Sequence, residues 1–438
     1  MKNTQPIPQR SRKIKVTFNG GQLTNFSGIL PLFTFMKKLK VDHIFPRMLS
    51  LSERPNTQFS MTQVLMSILL GLLCGQNRFT KIESFTHDPL VKRLIHLKKH
   101  LDKDTLIGKI KRFGFRQTNE LLDINSVLSR KVHQQLPGGD DILDLDSSVH
   151  TVYGHQEGAR KGFNPQRGKK SYHPLLAFLA STRECILSWL RPGDAYTANN
   201  AVGFLQQVFA VLPSGIPWLM VRGDSGFFDD QVLSEIESHP GVTYLIKVKL
   251  KNLRSLLSSQ EWEGIPEMPQ WSMTDFDYQA HGWKAPRHFY ALRKVVNVQR
   301  EGRLFPLYEY EYFCYVCNFQ ESPLYLHRLY GDRGTSENWI EAVKHQMYAG
   351  SLLTQSFWAN DALWILSVMA YNLSVWMRLL TDKRSWRQEP STFRVWFIQL
   401  AGKLVNSGRQ VYLNLYRSYH EQEKWLRIHH RIESLSFG

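Results

Sequence analysis

The pattern of hydrophobic and polar positions divides the chain into a helical part, a strand-rich part and a second helical part. Up to about residue 138, apolar residues recur at helical spacing, and Ser60 precedes a buried run where a helix N-cap is expected. Pro137, Gly138 and Gly139 interrupt this pattern. The pattern therefore predicts a helical first part that ends at about residue 138.

Short apolar runs replace the helical spacing after residue 139. They predict helices at 199–212 and 229–237, and strands at 141–146, 173–179, 185–190, 218–224 and 242–248. Three strands followed by helix, strand, helix and strand are typical of a mixed α/β sheet.

Residues 250–320 alternate like β-strands and are rich in aromatic side chains. Runs at 289–298 and 304–317 predict a hairpin with Glu301 and Gly302 in its turn. Beyond residue 324 the periodicity predicts helices to the end of the chain. There is no internal repeat and no low-complexity tract.

The composition is that of a soluble globular protein, but its charge is unbalanced. Lys and Arg outnumber Asp and Glu by 55 to 38, which gives a net charge of +17. Such an excess favours a polyanionic partner, most commonly DNA or RNA, although a basic soluble protein without such a partner is the alternative. At 438 residues the chain is too long for one ordinary core.

The cysteines and the apolar runs bound the cellular setting. Four cysteines do not make a disulfide framework in a chain of this length, and Cys314 and Cys317 have zinc-knuckle spacing without a second pair. Residues 1–15 are polar and basic, and the runs 64–74 and 357–380 have the character of buried helices. We therefore expect a protein of the reducing cytoplasm, associated with the nucleoid and not with a membrane.

Two acids stand at the ends of apolar strands, where metal ligands are held rigidly. Asp146 precedes Ser147 at the end of the first strand, and Asp144 shares its face and is a candidate supporting group. Asp224 ends the strand at 218–224, although its glycine neighbours suit a simple turn equally well.

A third acid, Glu337, lies at helical spacing from Arg333, Glu341 and Lys344. An acid among phosphate-binding cations suits metal-assisted chemistry on nucleic acid. Taken alone, however, the pattern favours an exposed ladder of salt bridges. Glu341 is the next candidate for the same role.

Three motifs, in order, resemble those of the DDE transposases of bacterial insertion sequences, in the superfamily that includes the transposon-five enzyme. Tyr330, Arg333, Glu337 and Lys344 have the spacing of its Tyr-Arg-Glu-Lys signature. Asp146-Ser-Ser resembles the family's first acid motif, and Arg222-Gly-Asp-Ser-Gly-Phe resembles its second. The segments at 154–158, 162–165 and 171–174 look like the insertion-sequence thirteen-eighty branch. The resemblance covers roughly residues 140–380.

The resemblance implies an α/β fold with an RNase H-like mixed sheet core, a β-rich insertion, an N-terminal helical domain and a C-terminal helical region. The corresponding boundaries are a basic region that binds the DNA end at 1–138, the catalytic core at 139–249 and 323–385, the insertion at 250–322, and a region for dimerisation or DNA contact at 386–438.

It also implies cleavage and strand transfer of DNA at the element's terminal inverted repeats. Asp146, Asp224 and Glu337 would be the catalytic acids and would hold two Mg²⁺ ions, which Mn²⁺ can replace. Tyr330, Arg333 and Lys344 would bind the transposon end. The partners would be double-stranded DNA, both the ends and the target, and a second copy in a synaptic homodimer.

Two further DNA contacts are expected around this site. A segment between the first two strands carries five cations for DNA phosphates, although it is alternatively a solvated hairpin tip: Arg160, Lys161, Arg167, Lys169 and Lys170. One tryptophan of the insertion would stack on a flipped base, although core packing is the favoured role for each of Trp262, Trp271 and Trp283.

Two other functions share parts of this pattern. An RNase H-like nuclease would use the same acids without joining strands, and a catalytically silent descendant of a transposase would only bind DNA. A tyrosine recombinase is excluded, since His327, Arg328 and Tyr330 are too compressed for its chemistry.

Overall fold

The computed structural model describes residues 14, 16–162, 168–298 and 307–437. The expected hairpin turn at Glu301 and Gly302, and the basic-segment residue Arg167, lie outside these residues. The described chain combines a large mixed sheet with helices on its faces, which confirms the mixed α/β class.

The helices lie mainly before and after the sheet region. In chain order they are α1 (Ile29–Lys38), α2 (Val41–Met48), α3 (Met61–Leu73), α4 (Phe79–Phe85), α5 (Pro89–Leu94), α6 (Lys103–Ile110), α7 (Phe115–His133), α8 (Ala201–Val211), α9 (Asp230–Glu237), α10 (Leu253–Ser258), α11 (Pro323–Gly331), α12 (Gly334–Glu341), α13 (Phe357–Thr381), α14 (Pro390–Phe393) and α15 (Gln422–Ser434).

The strands concentrate between residues 141 and 317. In chain order they are β1 (Leu23–Thr24), β2 (Asp141–Ser147), β3 (His150–Val152), β4 (Lys170–Tyr172), β5 (Leu175–Leu179), β6 (Cys185–Trp189), β7 (Leu219–Gly223), β8 (Val242–Lys247), β9 (Glu263–Gly264), β10 (Trp271–Tyr278), β11 (Arg287–Val298), β12 (Leu307–Cys317), β13 (Gly402–Ser407) and β14 (Gln410–Leu415).

Nine of these strands form one sheet in the order β6-β5-β2-β7-β8-β12-β11-β10-β9. Strands β2, β7 and β8 are parallel at its centre, and their residues are largely buried, as parallel strands require. The aromatic strands of residues 250–320 continue the same sheet, because β12 pairs with β8 from Tyr315↔Lys247 to Cys317↔Leu245.

The strongly patterned elements lie where the sequence predicts them. The predicted strands correspond to β2, β5, β6, β7 and β8, and the predicted helices to α8 and α9. Ser60 caps α3 in a capping box, since its Oγ accepts from the backbone N–H of Gln63 at 3.1 Å and the Gln63 side chain accepts from the Ser60 N–H.

The expectation of helices throughout the C-terminal region is wrong for residues 402–415. These residues form the hairpin β13–β14, which pairs with β1 from the other end of the chain. Alternate burial along both strands and a turn in which Gly408 has a φ of 59° account for the hairpin. The prediction of a helix fails here because two strands of six residues are too short to show the two-residue alternation of a β-strand clearly in the sequence.

Helix α13 is the central core helix that the sequence predicts at 357–380. It is the one described helix with the length and apolar character to cross a membrane, but 89% of its most apolar window is buried inside the protein. Asn372 on α13 bonds the backbone N–H and carbonyl of Cys185 at 2.9 and 2.8 Å, and its amide also donates to Asn125 on α7 at 3.0 Å. These bonds satisfy buried polar groups and fix α13 on the sheet.

The tryptophans of residues 250–320 are half-buried and packed among other side chains, in agreement with core packing. The Arg293 guanidinium lies 4.6 Å from the Trp262 ring centroid, and Arg287 lies at the same distance from Trp283. Trp271 stacks on Phe313 at 5.6 Å. Stacking on a DNA base remains a prediction for these rings.

A buried acid–imidazole pair makes the stability of the fold depend on pH. Glu184 is fully buried and bonds His133, Ser129 and the indole N–H of Trp376. Burial alone would lower the pKa of His133, but the hydrogen bond and the charge of Glu184 outweigh it, so that the pKa is raised.

We therefore expect the stabilising effect of His133 to be complete below its unfolded pKa of about 6.5 and to disappear as the pH rises through the raised folded pKa. In urea unfolding, the free-energy difference between wild type and His133→Gln should shrink as the pH rises above about 6.5. A difference that is constant or grows over this range would contradict the pair.

Candidate active site

The first two acids meet at the carboxyl ends of neighbouring parallel strands. In the β2–β7 pair, Asp144 lies opposite Arg222 and Leu145 opposite Gly223. Asp146 and Asp224 are the next residue on each strand, so they emerge side by side at one edge of the sheet. In open α/β sheets this edge is the usual position of a binding crevice.

Both acids are fixed by local bonds as well as by the strands. Asp224 caps a single 3₁₀ turn and accepts from the Gly226 N–H at 2.9 Å. Asp146 accepts from the Ser147 N–H at 2.7 Å, and the Ser147 hydroxyl contacts that of Thr197 at 2.9 Å. The first acid motif is therefore tied to the loop that precedes α8.

The third acid lies on a helix that is interrupted on both sides. Glu337 is exposed in the first turn of α12, which is separated from α11 by Asp332 and Arg333 and is followed by a π-helical turn at Ala342–Gln346. The expectation of one regular helical face is wrong at Lys344, because the π-helical turn begins after Glu341. Arg333, Glu337 and Glu341 keep helical spacing, but Arg333 is buried whereas Glu337 and Glu341 are exposed.

Arg333 and Lys344 contact the strand that carries the first acid. The buried Arg333 donates from Nη2 to the Leu145 carbonyl at 3.0 Å and lies 3.2 Å from Asp146 Oδ2. Lys344 donates from Nζ to Ser148 Oγ at 3.0 Å and to the Val149 carbonyl at 3.2 Å. Arg333 and Lys344 thus both contact the end of β2 or the loop that follows it.

The pKa of Asp146 responds to burial and to the charged groups around it. Burial raises the pKa of Asp146 to about 6; the Arg333 charge opposes this shift, and the charges of Asp224 and Glu337 add to it. Burial also raises the pKa of Tyr330, which packs against Tyr315 with ring centroids 4.8 Å apart.

The donor set fits a hard divalent cation. Carboxylate oxygens are the ligands that Mg²⁺ prefers, and a cation would stabilise the ionised form of Asp146, whose pKa is raised first by burial and further by the charges of Asp224 and Glu337. Within the described ranges no group of three or more His, Cys, Asp or Glu residues closes around a single metal position. The acids are thus electrostatically coupled without forming a closed cage.

Asp144 does not share the position of Asp146. It is fully buried and forms a bidentate pair with Arg222, with both N–O distances at 2.8 Å. Its oxygens are occupied, and it supports the site from within the sheet. Sequence reasoning left the role of Arg222 unassigned, although an arginine inside an apolar strand is a signal that a buried acid lies nearby.

The basic segment is flanked by an additional small hairpin, β3–β4, that the sequence reading did not predict. Arg160 pairs with Asp194 at 3.0 Å, and the Lys169 ammonium lies 5.5 Å from the Tyr153 ring centroid. Lys161 is exposed and Lys170 begins β4. The segment therefore presents cations beyond the end of β2, where Ser148 and His150 lead into the hairpin.

Cys314 and Cys317 are both buried on β12 as free thiols. Burial raises the pKa of Cys317 to about 12. A buried neutral thiol is a poor metal ligand, so the knuckle-like spacing is structural.

Comparison with known proteins finds a family model that matches nearly the whole chain. The model of the family described as transposase DDE domain, group 1, matches residues 7–437. No curated protein matches the chain. A cryo-EM structure of the piggyBac transposase synaptic complex with hairpin DNA aligns with 85% of this chain and 79% of that chain, at 12% identity and a TM-score of 0.44.

Proposed function

The chain belongs to the transposase DDE domain group 1 family, and from this premise we propose that it is the transposase of a bacterial insertion sequence, which binds the element's terminal inverted repeats and cleaves and joins DNA. The observation that carries this proposal is that Asp146 and Asp224 end neighbouring parallel strands at one edge of the sheet, where Arg333 and Lys344 contact the end of β2. Glu337 follows Arg333 in the first turn of α12.

In this proposal Asp146, Asp224 and Glu337 hold two Mg²⁺ ions, or Mn²⁺ in their place. When bound, these ions activate the attacking water or 3′-hydroxyl and stabilise the departing oxygen in an in-line displacement at phosphorus.

Arg333 would gain a partner when the DNA end binds. Its guanidinium neutralises Asp146, and its buried Nε has no hydrogen-bond partner among the described residues. Because buried donors are normally satisfied, a phosphate oxygen of the bound DNA end is the partner we assign to it. Lys344 would hold the loop after β2 in place, and Tyr330 would border the same phosphate.

We assign the finer architecture on the same basis. The core at 139–249 and 323–385 would be RNase H-like, with the insertion at 250–322, the end-binding region at 1–138, and dimerisation or DNA contact at 386–438. The protein would act as a homodimer on end and target DNA at the nucleoid.

Strand transfer separates this function from its alternatives. A labelled end duplex is incubated with Mg²⁺ and a supercoiled target plasmid, and cleaved and joined products are resolved on a gel. Joined products support the transposase. Cleavage without joining would indicate an RNase H-like nuclease, and binding without cleavage a silent DNA-binding protein.

The basic segment predicts a salt-dependent contribution to DNA binding. Changing the exposed Lys161 and Lys169 to Glu should remove about two phosphate contacts, and thus reduce the slope of log affinity against log salt by about 2. The matched Lys161→Gln and Lys169→Gln variant should show a smaller loss of affinity at low salt. Unchanged affinity and slope in the Glu variant would assign the segment to a solvated hairpin tip.

A further inference from the structure

The end of helix α11 is held by an arginine from the sheet. The last carbonyl groups of a helix lack partners within the helix and must be satisfied from outside. Arg222, on β7, donates from Nη1 to the Leu329 carbonyl at 2.7 Å. This contact places a cation at a helix C-terminus, where it also interacts favourably with the helix dipole.

Arg222 is itself oriented by the neighbouring strand. Asp144 lies opposite it in the β2–β7 register, and its two carboxylate oxygens accept from Nε and Nη2. The side chains are 2% and 0% exposed, so the fork geometry is fixed by two central strands and excludes water. The position of Leu329 is therefore set by the sheet.

A second arginine makes the reverse connection. Arg333 immediately precedes α12 and donates to the Leu145 carbonyl of β2 at 3.0 Å. The helix break at Asp332 and Arg333 is thus fixed on both sides. Before it, Arg222 of the sheet bonds Leu329 of α11, and at the break Arg333 bonds Leu145 of the sheet. Glu337 follows one helical turn after Arg333.

We propose that Asp144 and Arg222 are positioning residues that hold Glu337 against Asp146 and Asp224, so that the divalent-metal site is completed only when α11 is clamped to the sheet. The proposal rests on the proposed function, since it takes Glu337 to be the third metal ligand. In this proposal Asp144 and Arg222 contact neither the metal nor the DNA, because both side chains are buried and bonded to each other. Their effect passes through Leu329 and the start of α12.

The test uses the full-length protein and a readout that a merely structural pair would not move. Arg222→Lys keeps the charge but loses the fork that spans Asp144 and Leu329. We expect Mn²⁺ binding, measured by calorimetry on the folded protein, to weaken by about tenfold to a hundredfold. Amides of α11 and α12 should exchange hydrogen faster, while affinity for the end duplex without metal stays at the wild-type value.

A second variant guards against simple loss of folding. Asp144→Asn combined with Arg222→Met removes both buried charges and leaves no unpaired ion, so that folding should survive. The Leu329 carbonyl remains unclamped, and Mn²⁺ binding should remain as weak as in Arg222→Lys.

The control is Arg287→Lys. Arg287 pairs with Asp230 and Glu237 between α9 and β11, and its side chain is 10% exposed. Like Arg222, Arg287 makes ion pairs between a strand and another element, but these pairs are half-buried and do not involve α11 or α12. Arg287→Lys should therefore leave Mn²⁺ affinity unchanged.

The outcomes separate the two proposals. If wild type binds Mn²⁺ and cleaves DNA while both Arg222 variants bind Mn²⁺ within about threefold of wild type, the positioning role is wrong. If wild type itself neither binds Mn²⁺ nor cleaves, the proposed function fails, and the positioning role with it.

Discussion

Replacing Glu337 by Gln is expected to lower the rate of DNA cleavage by at least about a thousandfold, with little change in binding of the end duplex. The amide keeps the shape of the side chain but removes the negative charge that would hold the metal. Because Glu337 is exposed on the first turn of α12, the substitution should leave the fold intact. Asp146→Asn and Asp224→Asn should have the same effect.

Glu341 provides the matched control, since it is also an exposed glutamate at the other end of α12. Cleavage of a labelled end duplex with Mg²⁺ is measured for wild type, Glu337→Gln and Glu341→Gln, with binding measured separately by gel shift. Wild-type activity in Glu341→Gln and loss in Glu337→Gln would support the assignment. The opposite result would transfer the third ligand to Glu341.

Replacing Asp144 by Ala is expected to lower the free energy of unfolding by about 3–5 kcal/mol, because it leaves the Arg222 charge buried without its partner. Arg222 is 2% exposed and has only the Leu329 carbonyl as a remaining acceptor among the described contacts. A loss of this size is a large part of the stability of a typical domain.

Urea unfolding followed by tryptophan fluorescence measures this loss. Asp275→Ala is the surface control, because Asp275 is about half exposed and pairs with His288, and its loss should cost less than about 1 kcal/mol. Equal effects of the two substitutions would show that the Asp144–Arg222 pair contributes no more than a surface pair.

Strong local patterns made much of the fold predictable. The acids at 146 and 224 end runs of apolar residues that are buried on both faces, and such runs form central strands in almost any context. The same is true of α13, whose apolar length leaves few alternatives to a core helix. The hairpins β3–β4 and β13–β14 escaped prediction, because their strands of three to six residues carry little periodic signal.

The sequence supplied the candidate site as a list of residues but not as an arrangement. Spacing placed Arg333, Glu337 and Lys344 on one helical face, whereas the structure breaks that helix at Asp332 and Arg333 and widens it at 342–346. Arg333 consequently lies buried against Asp146, and Lys344 reaches the loop after β2. Helical spacing assumes a regular backbone, and contacts with the sheet outweigh that regularity here.

The sequence by itself determined the α/β class, the central strands and the strand-end acids Asp146 and Asp224, because each depends on residues that are near in sequence. It also determined the basic character, which depends on composition alone, whereas Glu337 was singled out only by the family resemblance. Only the tertiary structure decided that Asp144 pairs with Arg222 and that Arg222 holds Leu329, across 78 and 107 residues of chain. Such contacts depend on the register of parallel strands and on where a distant helix docks. A single sequence does not encode these in any local period, and burial of the pair becomes favourable only once the whole sheet has formed.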